Sequence, residues 1–387
     1  MNPTTHTPTF DWRTIVALNA ISTLAQVSQF GIAYVVLPVW MAAHGFDAGQ
    51  IGLFAASLWL GQLPGLGLAP WLSRLLGARL VIVGGLLSTA LSLGCIAWVP
   101  WPFFLIGGLL AGFGLGLRWI GLEPWLYRIA PAHARGRLVG FHETLIALAP
   151  IIAPLTAGYA GIEGQAVFVI GAIFAMAALL PLAWARKPVQ EAAAATGIAL
   201  MAHLRTSLAH RIFRQGVVIA LLGGMLEAAV SGLFAVYTRD RGITVDQTAD
   251  LLAVFGVGGL LLQYPVGWLV DRWSLRTMTL VCAACTVLVT AVLTCPLAYP
   301  WMVAAVFVLG GFITAFLTLA IIASTLSGGS MAANVSLVSM FYTLSAVAGP
   351  LIAGALVSAT GGNTLMWFTA AIAAVMVAAM AATSRNA

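Results

Sequence analysis

The sequence predicts an all-α membrane protein of twelve transmembrane helices, arranged as two six-helix halves. Three observations carry that expectation. Charged residues make up 7% of 387 positions against 61% hydrophobic, and the mean hydropathy is +1.02; a soluble chain of this size would need far more polar surface. The few charges are separated by a dozen apolar stretches, each near the roughly 20 residues that a helix needs to cross a bilayer. The basic residues, finally, are sorted by side.

The spans are read, in order, as 14–38, 47–70, 79–98, 102–124, 138–160, 164–185, 214–237, 247–270, 277–296, 300–322, 334–358 and 363–383. When the connecting segments are taken alternately, one set and its span edges hold fourteen basic residues: Arg13, Arg74, Arg79, Arg128, Arg135, Arg137, Arg186, Lys187, Arg205, Arg211, Arg214, Arg272, Arg276 and Arg385. The other set holds Arg239 and Arg241. Basic residues stay cytosolic during insertion, so both termini are expected in the cytosol. The net charge of +6 and pI near 9.5 are thus explained by topology, and no nucleic-acid partner is expected. Residues 1–10 lack the basic start and small-residue cleavage site of a signal peptide, so the first helix is expected to be retained.

The longest polar segment, 186–213, divides the spans six and six. We expect an N-terminal bundle over 1–187, a linker over 188–213 and a C-terminal bundle over 214–387. In the linker, Ile198, Met201, Leu204, Leu208 and Ile212 recur at helical spacing, the pattern of a short amphipathic helix on the inner membrane surface. The halves echo one another at an offset near 197: Gly45-Phe46-Asp47-Ala48-Gly49-Gln50 with Gly242-Ile243-Thr244-Val245-Asp246-Gln247, Ala153 to Gly158 with Gly349 to Gly354, and Arg79 with Arg276. Internal repeats in a helical membrane protein point to a transporter with its site at the repeat interface.

A charge at the centre of a bilayer helix costs about 2.5–3.5 kcal/mol on insertion scales and calls for a partner or a purpose. Glu227 lies 13 residues after Arg214, near mid-membrane at about 1.5 Å per residue. Arg118 lies at a similar depth in the fourth span, while Glu123 and Glu143, with His142 beside the latter, fall nearer the cytosolic face. Cysteines 95, 282, 285 and 295 all lie in predicted spans and read as small apolar packing residues. Cys282-x-x-Cys285 has no polar ligands beside it. His142-Glu143 lacks a second histidine at 146, where Ile146 stands. No metal and no cofactor are expected. Gly61-x-x-x-Gly65, Gly112-x-x-x-Gly116 and Gly310-Gly311 read as close helix contacts, and Trp98, Trp101 and Trp301 as an outer aromatic belt.

Gly267-Trp268-Leu269-Val270-Asp271-Arg272-Trp273-Ser274-Leu275-Arg276 resembles the G-x-L-x-D-R-x-G-x-R loop of the major facilitator superfamily, and the six-plus-six plan extends the resemblance over nearly the whole chain. The first-half copy keeps Arg74, Gly77 and Arg79 but has Ser73 in place of the acid. Arg118-Trp119-Ile120-Gly121-Leu122-Glu123-Pro124-Trp125 is similar to a bacterial branch of the superfamily that has Glu-Ser-Trp at this point. Ala149, Ala153, Pro154, Ala157 and Gly158 resemble a weakened antiporter motif, Ala replacing Gly at three positions.

The resemblance implies the superfamily fold and a multi-pass location in the bacterial inner membrane. It implies a cytoplasmic gate of Asp271, Arg272 and Arg276, with a weaker contribution from Arg74 and Arg79, and helix bends at Pro154 and Pro350. It also implies a central cavity lined by the first and fourth helices of each half. There Glu227 would bind the coupling proton, Arg118 would act as counter-charge or anion contact, and Gln26, Gln29, Thr314, Thr318 and Glu123 would join them; Glu143 and His142 are secondary proton sites. The expected partners are a small organic substrate, protons and the bilayer, with the chain a monomer. The expected activity is proton-coupled export by alternating access, with symport or uniport import as the alternative. A membrane-embedded enzyme would need a nucleophile–base pair or ligand cluster at one depth, and the histidines and cysteines form none.

Overall fold

The computed structural model describes residues 11–129, 135–186, 203–328 and 330–382. The N-terminal ten residues, Lys187, Ile198, Met201 and Arg385, on which some expectations rested, lie outside them. Twelve apolar helices run back and forth: α1 Trp12–Ala43, α2 Ala48–Leu76, α3 Ala78–Trp98, α4 Leu105–Ile129, α5 Arg137–Ala160, α6 Ala166–Ala183, α7 Arg211–Asp240, α8 Val245–Arg272, α9 Leu275–Thr294, α10 Tyr299–Leu326, α11 Ala333–Thr360 and α12 Thr364–Ala382. The end where α1 begins carries Arg13, Arg74, Arg79, Arg128, Arg186, Arg272 and Arg276, and is called the basic end here; the far end carries Arg239 and Arg241.

The sequence repeat is also a structural repeat. Asp47 caps α2, accepting from Gln50 N at 2.8 Å while Gln50 Oε1 accepts from Asp47 N at 3.0 Å. Thr244 and Gln247 build the same reciprocal cap on α8 at 3.2 Å in each direction, satisfying amides that have no partner inside the helix. In both halves the preceding turn needs a left-handed residue, supplied by Gly45 (φ +79) and Gly242 (φ +71); either would be strained as any other residue.

Small residues set the closest helix crossings. A side chain at Gly112 on α4 would strike the Leu58 carbonyl of α2, and one at Gly61 on α2 would strike the Leu109 carbonyl of α4. In the second half, Gly258 on α8 and Gly310 on α10 meet Phe307 and Phe255 in the same way. Without a hydrophobic drive between helices in lipid, this backbone approach supplies the packing. Gly112→Val is therefore expected to cost at least the ~1–3 kcal/mol of an overpacked core. It should appear as a lower melting temperature of the detergent-solubilised protein, whereas Gly84→Val, at a position with open space around it, should leave melting unchanged.

Close backbone contacts between the two halves lie toward the far end. Gly354 of α11 would place a Cβ 2.8 Å from the Ala48 carbonyl and 3.1 Å from Gly52 Cα on α2, and one at Gly232 on α7 would lie 2.7 Å from Ala55 Cβ. The packing of α5 on α8 lies in Ala149–Ala160, and that of α1 on the second half in Val27–Ala43. Gly67 on α2 and Gly267 on α8, toward the basic end, face open space.

Three details go beyond the sequence expectations. The interruption of α5 falls at Ala147–Leu148, between helical stretches Arg135–Ile146 and Ala149–Ala160. Pro154 sits inside the second stretch, and Pro350 inside the unbroken Met331–Thr360 helix. The break precedes Pro150, whose missing N–H leaves the Ile146 carbonyl without its helical donor. Trp98 and Trp301 are exposed, but Trp101 packs edge-on against Phe104, with ring centroids 5.3 Å apart. The described part of the linker also docks on protein: Ser207 is buried and donates to Asn334 Oδ1 at 2.9 Å, beside His203.

Candidate functional site

The middle of α1 is wound more widely than an α-helix. Residues Val27–Val36 form π-type turns, closed by Leu37 N donating to the Ile32 carbonyl. Such turns are rare and concentrate at functional sites. They follow directly on Gln26 and contain Gln29, and they bring Gly31 against Ala149 and Ala153 of α5, leaving no room for a side chain.

Arg118 of α4 points into this part of α1 and is 1% exposed. Its Nε donates to Gln29 Oε1 at 2.9 Å, Nη1 to Ser22 Oγ at 2.9 Å and Nη2 to Gln26 Oε1. Gln29 in turn donates to Thr89 Oγ1 of α3 at 2.8 Å. Every acceptor here is neutral. Removing a guanidinium from water costs several kcal/mol even after relaxation, and a shell of side-chain oxygens recovers part of that while leaving the positive charge uncancelled.

Glu227 sits near the middle of α7 and is half-buried. It accepts a hydrogen bond from the Tyr342 hydroxyl of α11. Two features of the helix crossing allow this. Gly224 lies so close to the Tyr342 backbone that any side chain would clash, and Ser345 donates to the Ala220 carbonyl at 3.4 Å. Glu227 and Arg118 thus have separate partners, one in each half, and the structure does not pair them. Thr314 turns onto the Gly310 carbonyl at 2.9 Å, and Thr318 accepts from Gln263 of α8 at 2.7 Å.

Nearer the basic end, Glu123 on α4 and His142 on α5 face one another at 3.9 Å. Tyr127 donates to Glu143 Oε1 at 3.2 Å, and His142 Nδ1 lies 3.0 Å from Asn19 Oδ1 of α1. Ser22, Asn19, Gln263 and Tyr342 were missed from sequence. A single Asn or Gln in an apolar helix was the available signal for two of them, whereas Tyr342 cannot be told from an interfacial aromatic without the fold.

With twelve helices in two repeated halves around these groups, the comparison with known proteins is direct. The sequence profile of the Major Facilitator Superfamily matches residues 20–237 and again 216–386. The chain belongs to this superfamily. The MFS-type transporter YcaD of Escherichia fergusonii, itself described as uncharacterized, is 26% identical over 247 residues, 62% of this chain; the match spans 62% of that protein's length as well. Among solved structures, the nucleoside transporter NupG superimposes with a TM-score of 0.79 at 16% identity, covering 95% of this chain and 98% of its own. A D-xylose-proton symporter gives 0.71 at 15% identity, covering 96% and 97%. The protein has the fold and the twelve-helix membrane plan of the superfamily.

The described contacts of three residues that resemble the superfamily's signature loop lie within their own halves. Arg276 donates to the Met380 carbonyl of α12 at 2.9 Å, Arg79 to the Leu182 carbonyl of α6, and Arg272 lies over the Trp268 ring at 3.6 Å. Asp271 and Arg74 are exposed. Side-chain bonding between the halves is instead found at the far end, where Arg239 of α7 donates to the Ala42 and Phe46 carbonyls at 3.2 and 3.1 Å. The Ala42 carbonyl lies in the last turn of α1, where the helix dipole favours a cation by about 0.3–1 kcal/mol, and that of Phe46 in the turn that follows. Arg239→Gln is expected to reduce far-end closure about two- to five-fold, read as a lower cross-linking yield between cysteines placed at Gly49 and Ser358.

Proposed function

We propose that this transporter is a secondary exporter in the bacterial inner membrane, moving a small organic molecule outward in exchange for protons by alternating access. The observation that carries the reading is Glu227. It is a half-buried carboxyl at mid-helix depth whose bonding partner among the described residues is the uncharged Tyr342. A group of that kind, able to gain a proton when the surroundings open to one side, is what coupling requires. Arg118 and its neutral shell sit across from it in the other half as a contact for an electron-rich group of the substrate.

In this reading residues 1–187 and 214–387 move as two bundles joined by 188–213, and the basic end faces the cytosol, as the arginine distribution favours. The structure is then the inward-open state, with the far end shut by α2 on α11 and by Arg239. Asp271, Arg272, Arg276, Arg74 and Arg79 form the opposing cytoplasmic gate when the basic end closes. Outward movement is favoured by the antiporter-like face of α5: Ala149, Ala153 and Ala157 are buried, packed where α1 and α8 meet it.

The test is flux in proteoliposomes under an imposed pH gradient, screened across classes of small organic molecules. Accumulation against substrate gradient that reverses with the sign of the pH gradient supports proton exchange; co-directional movement would make the protein a symporter. Orientation is checked separately. Reporter fusions after Arg186 and at the C-terminus should both report the cytosol, and a fusion after Ala160 the periplasm.

A further inference from the structure

At the junction of α1, α4 and α5, a histidine and a glutamate are held face to face. His142 is fully buried. Its Nδ1 lies 3.0 Å from Asn19 Oδ1, and the orientation of the Asn19 amide is set from its other end, where Nδ2 donates to the Ile15 carbonyl at 2.9 Å. Oδ1 can only accept, so Nδ1 carries the imidazole proton and Nε2 of the neutral ring is left as a bare acceptor. That Nε2 faces Glu123 Oε1 at 3.9 Å. Both atoms are buried and have no hydrogen-bond partner among the described residues.

A neutral imidazole and an ionised carboxylate in this arrangement oppose lone pair to lone pair. One proton resolves the conflict: placed on Nε2, it makes a charge-assisted N–H···O bond that would close the gap to about 2.7–2.9 Å. We propose that His142 and Glu123 form a one-proton binding site, the proton held between Nε2 and Oε1, separate from Glu227 in the other half.

The surroundings are consistent with one proton and no more. From α4, Arg118 opposes added positive charge, and the Tyr127 ring stands edge-on to the imidazole, 6.0 Å between centroids. From α5, the neighbouring Glu143 favours the protonated pair but already accepts from Tyr127. The described elements alongside add no free charge: α1 offers the neutral Asn19, Ser22 and Gln26, Arg79 of α3 is bonded to the Leu182 carbonyl, and Arg186 pairs with Asp11 at 3.5 Å. Because the three helices meet through this pair, gain of the proton draws α4 and α5 together next to the open basic end. The site does not rest on the coupling role given to Glu227.

The test is nitrogen NMR of the imidazoles of the full chain in lipid nanodiscs, with the His142 signal identified among the six histidines by its loss in His142→Gln. At high pH the signal should be that of a single Nδ1–H tautomer, and on acidification it should pass to the doubly protonated form. Glu123→Gln should lower that midpoint by about one pH unit or more, since the amide supplies a donor to Nε2 and no charge. Glu143→Gln should move it less, and Glu227→Gln not at all. An Nε2–H tautomer at high pH, an unchanged midpoint in Glu123→Gln, or a larger shift in Glu143→Gln or Glu227→Gln would overturn the assignment. Should Glu123→Gln fail to fold, Asn19→Ala serves instead: it should release the tautomer lock and give mixed Nδ1–H and Nε2–H signals, and a still-pure Nδ1–H signal would sink the proposal.

Discussion

Glu227→Gln is expected to abolish transport driven by a pH gradient while substrate binding and gradient-independent exchange persist. Gln has the shape of a protonated glutamate, and its Oε1 can still accept from the Tyr342 hydroxyl that now meets the carboxyl, so the α7–α11 crossing should survive. What it loses is the ability to release a proton. The accumulation ratio under a gradient should fall to about one, with expression and melting close to wild type. If Glu227 served only to balance Arg118, the same change would expose a buried cation, and Arg118→Gln would restore folded yield. The observed bonding argues against that, because Arg118 is held by Gln29, Ser22 and Gln26 without any carboxylate. Fully coupled transport in Glu227→Gln would remove the residue from the mechanism.

A comparable effect, on conformation instead of coupling, is expected from Gly52→Leu. A side chain there would collide with the Pro350 carbonyl and the Gly354 backbone of α11, and backbone cannot rotate away as a side chain could. An overpacking cost of about 1–3 kcal/mol is felt in the far-closed state and relieved when the halves separate there. The far-closed population should therefore fall roughly five- to hundred-fold, at about 1.4 kcal/mol per factor of ten. Gly49 and Ser358 provide the reporter: a Cβ at Gly49 would lie 4.0 Å from Ser358 Cβ, within the span of a disulfide. In a background lacking the four native cysteines, the pair G49C and S358C should cross-link readily, and adding Gly52→Leu should suppress the product. Gly67→Leu, which faces open space, is the matched control. Equal yields in both would mean that the α2–α11 contact does not hold the far end shut.

The π-type stretch of α1 and the packing of Gly31 on α5 show where sequence reasoning stopped. Hydropathy along Val27–Val36 is the same whether successive residues turn by 100° or less, and Pro38, which opens the α-helical stretch that follows, does not mark where the wider turns begin. The interruption of α5 before Pro150 was not expected from sequence, since whether a proline disrupts a helix depends on what the freed carbonyl can find nearby. Tyr342 illustrates the same limit: it is not unusual in its own helix and matters through a partner on another.

By itself, the sequence determined the membrane class, the number and order of the helices, the internal repeat and the location of charges along each span. Those properties follow from local composition, because lipid demands apolar length and internally bonded backbone of every segment separately. The tertiary structure decided which end of the bundle is closed, that Arg118 and Glu227 have separate partners, and that His142 meets Glu123. Each of these depends on the rotation and crossing of two helices far apart in the chain, set by backbone contact at residues such as Gly52, Gly112 and Gly224, and no periodicity within one helix encodes it.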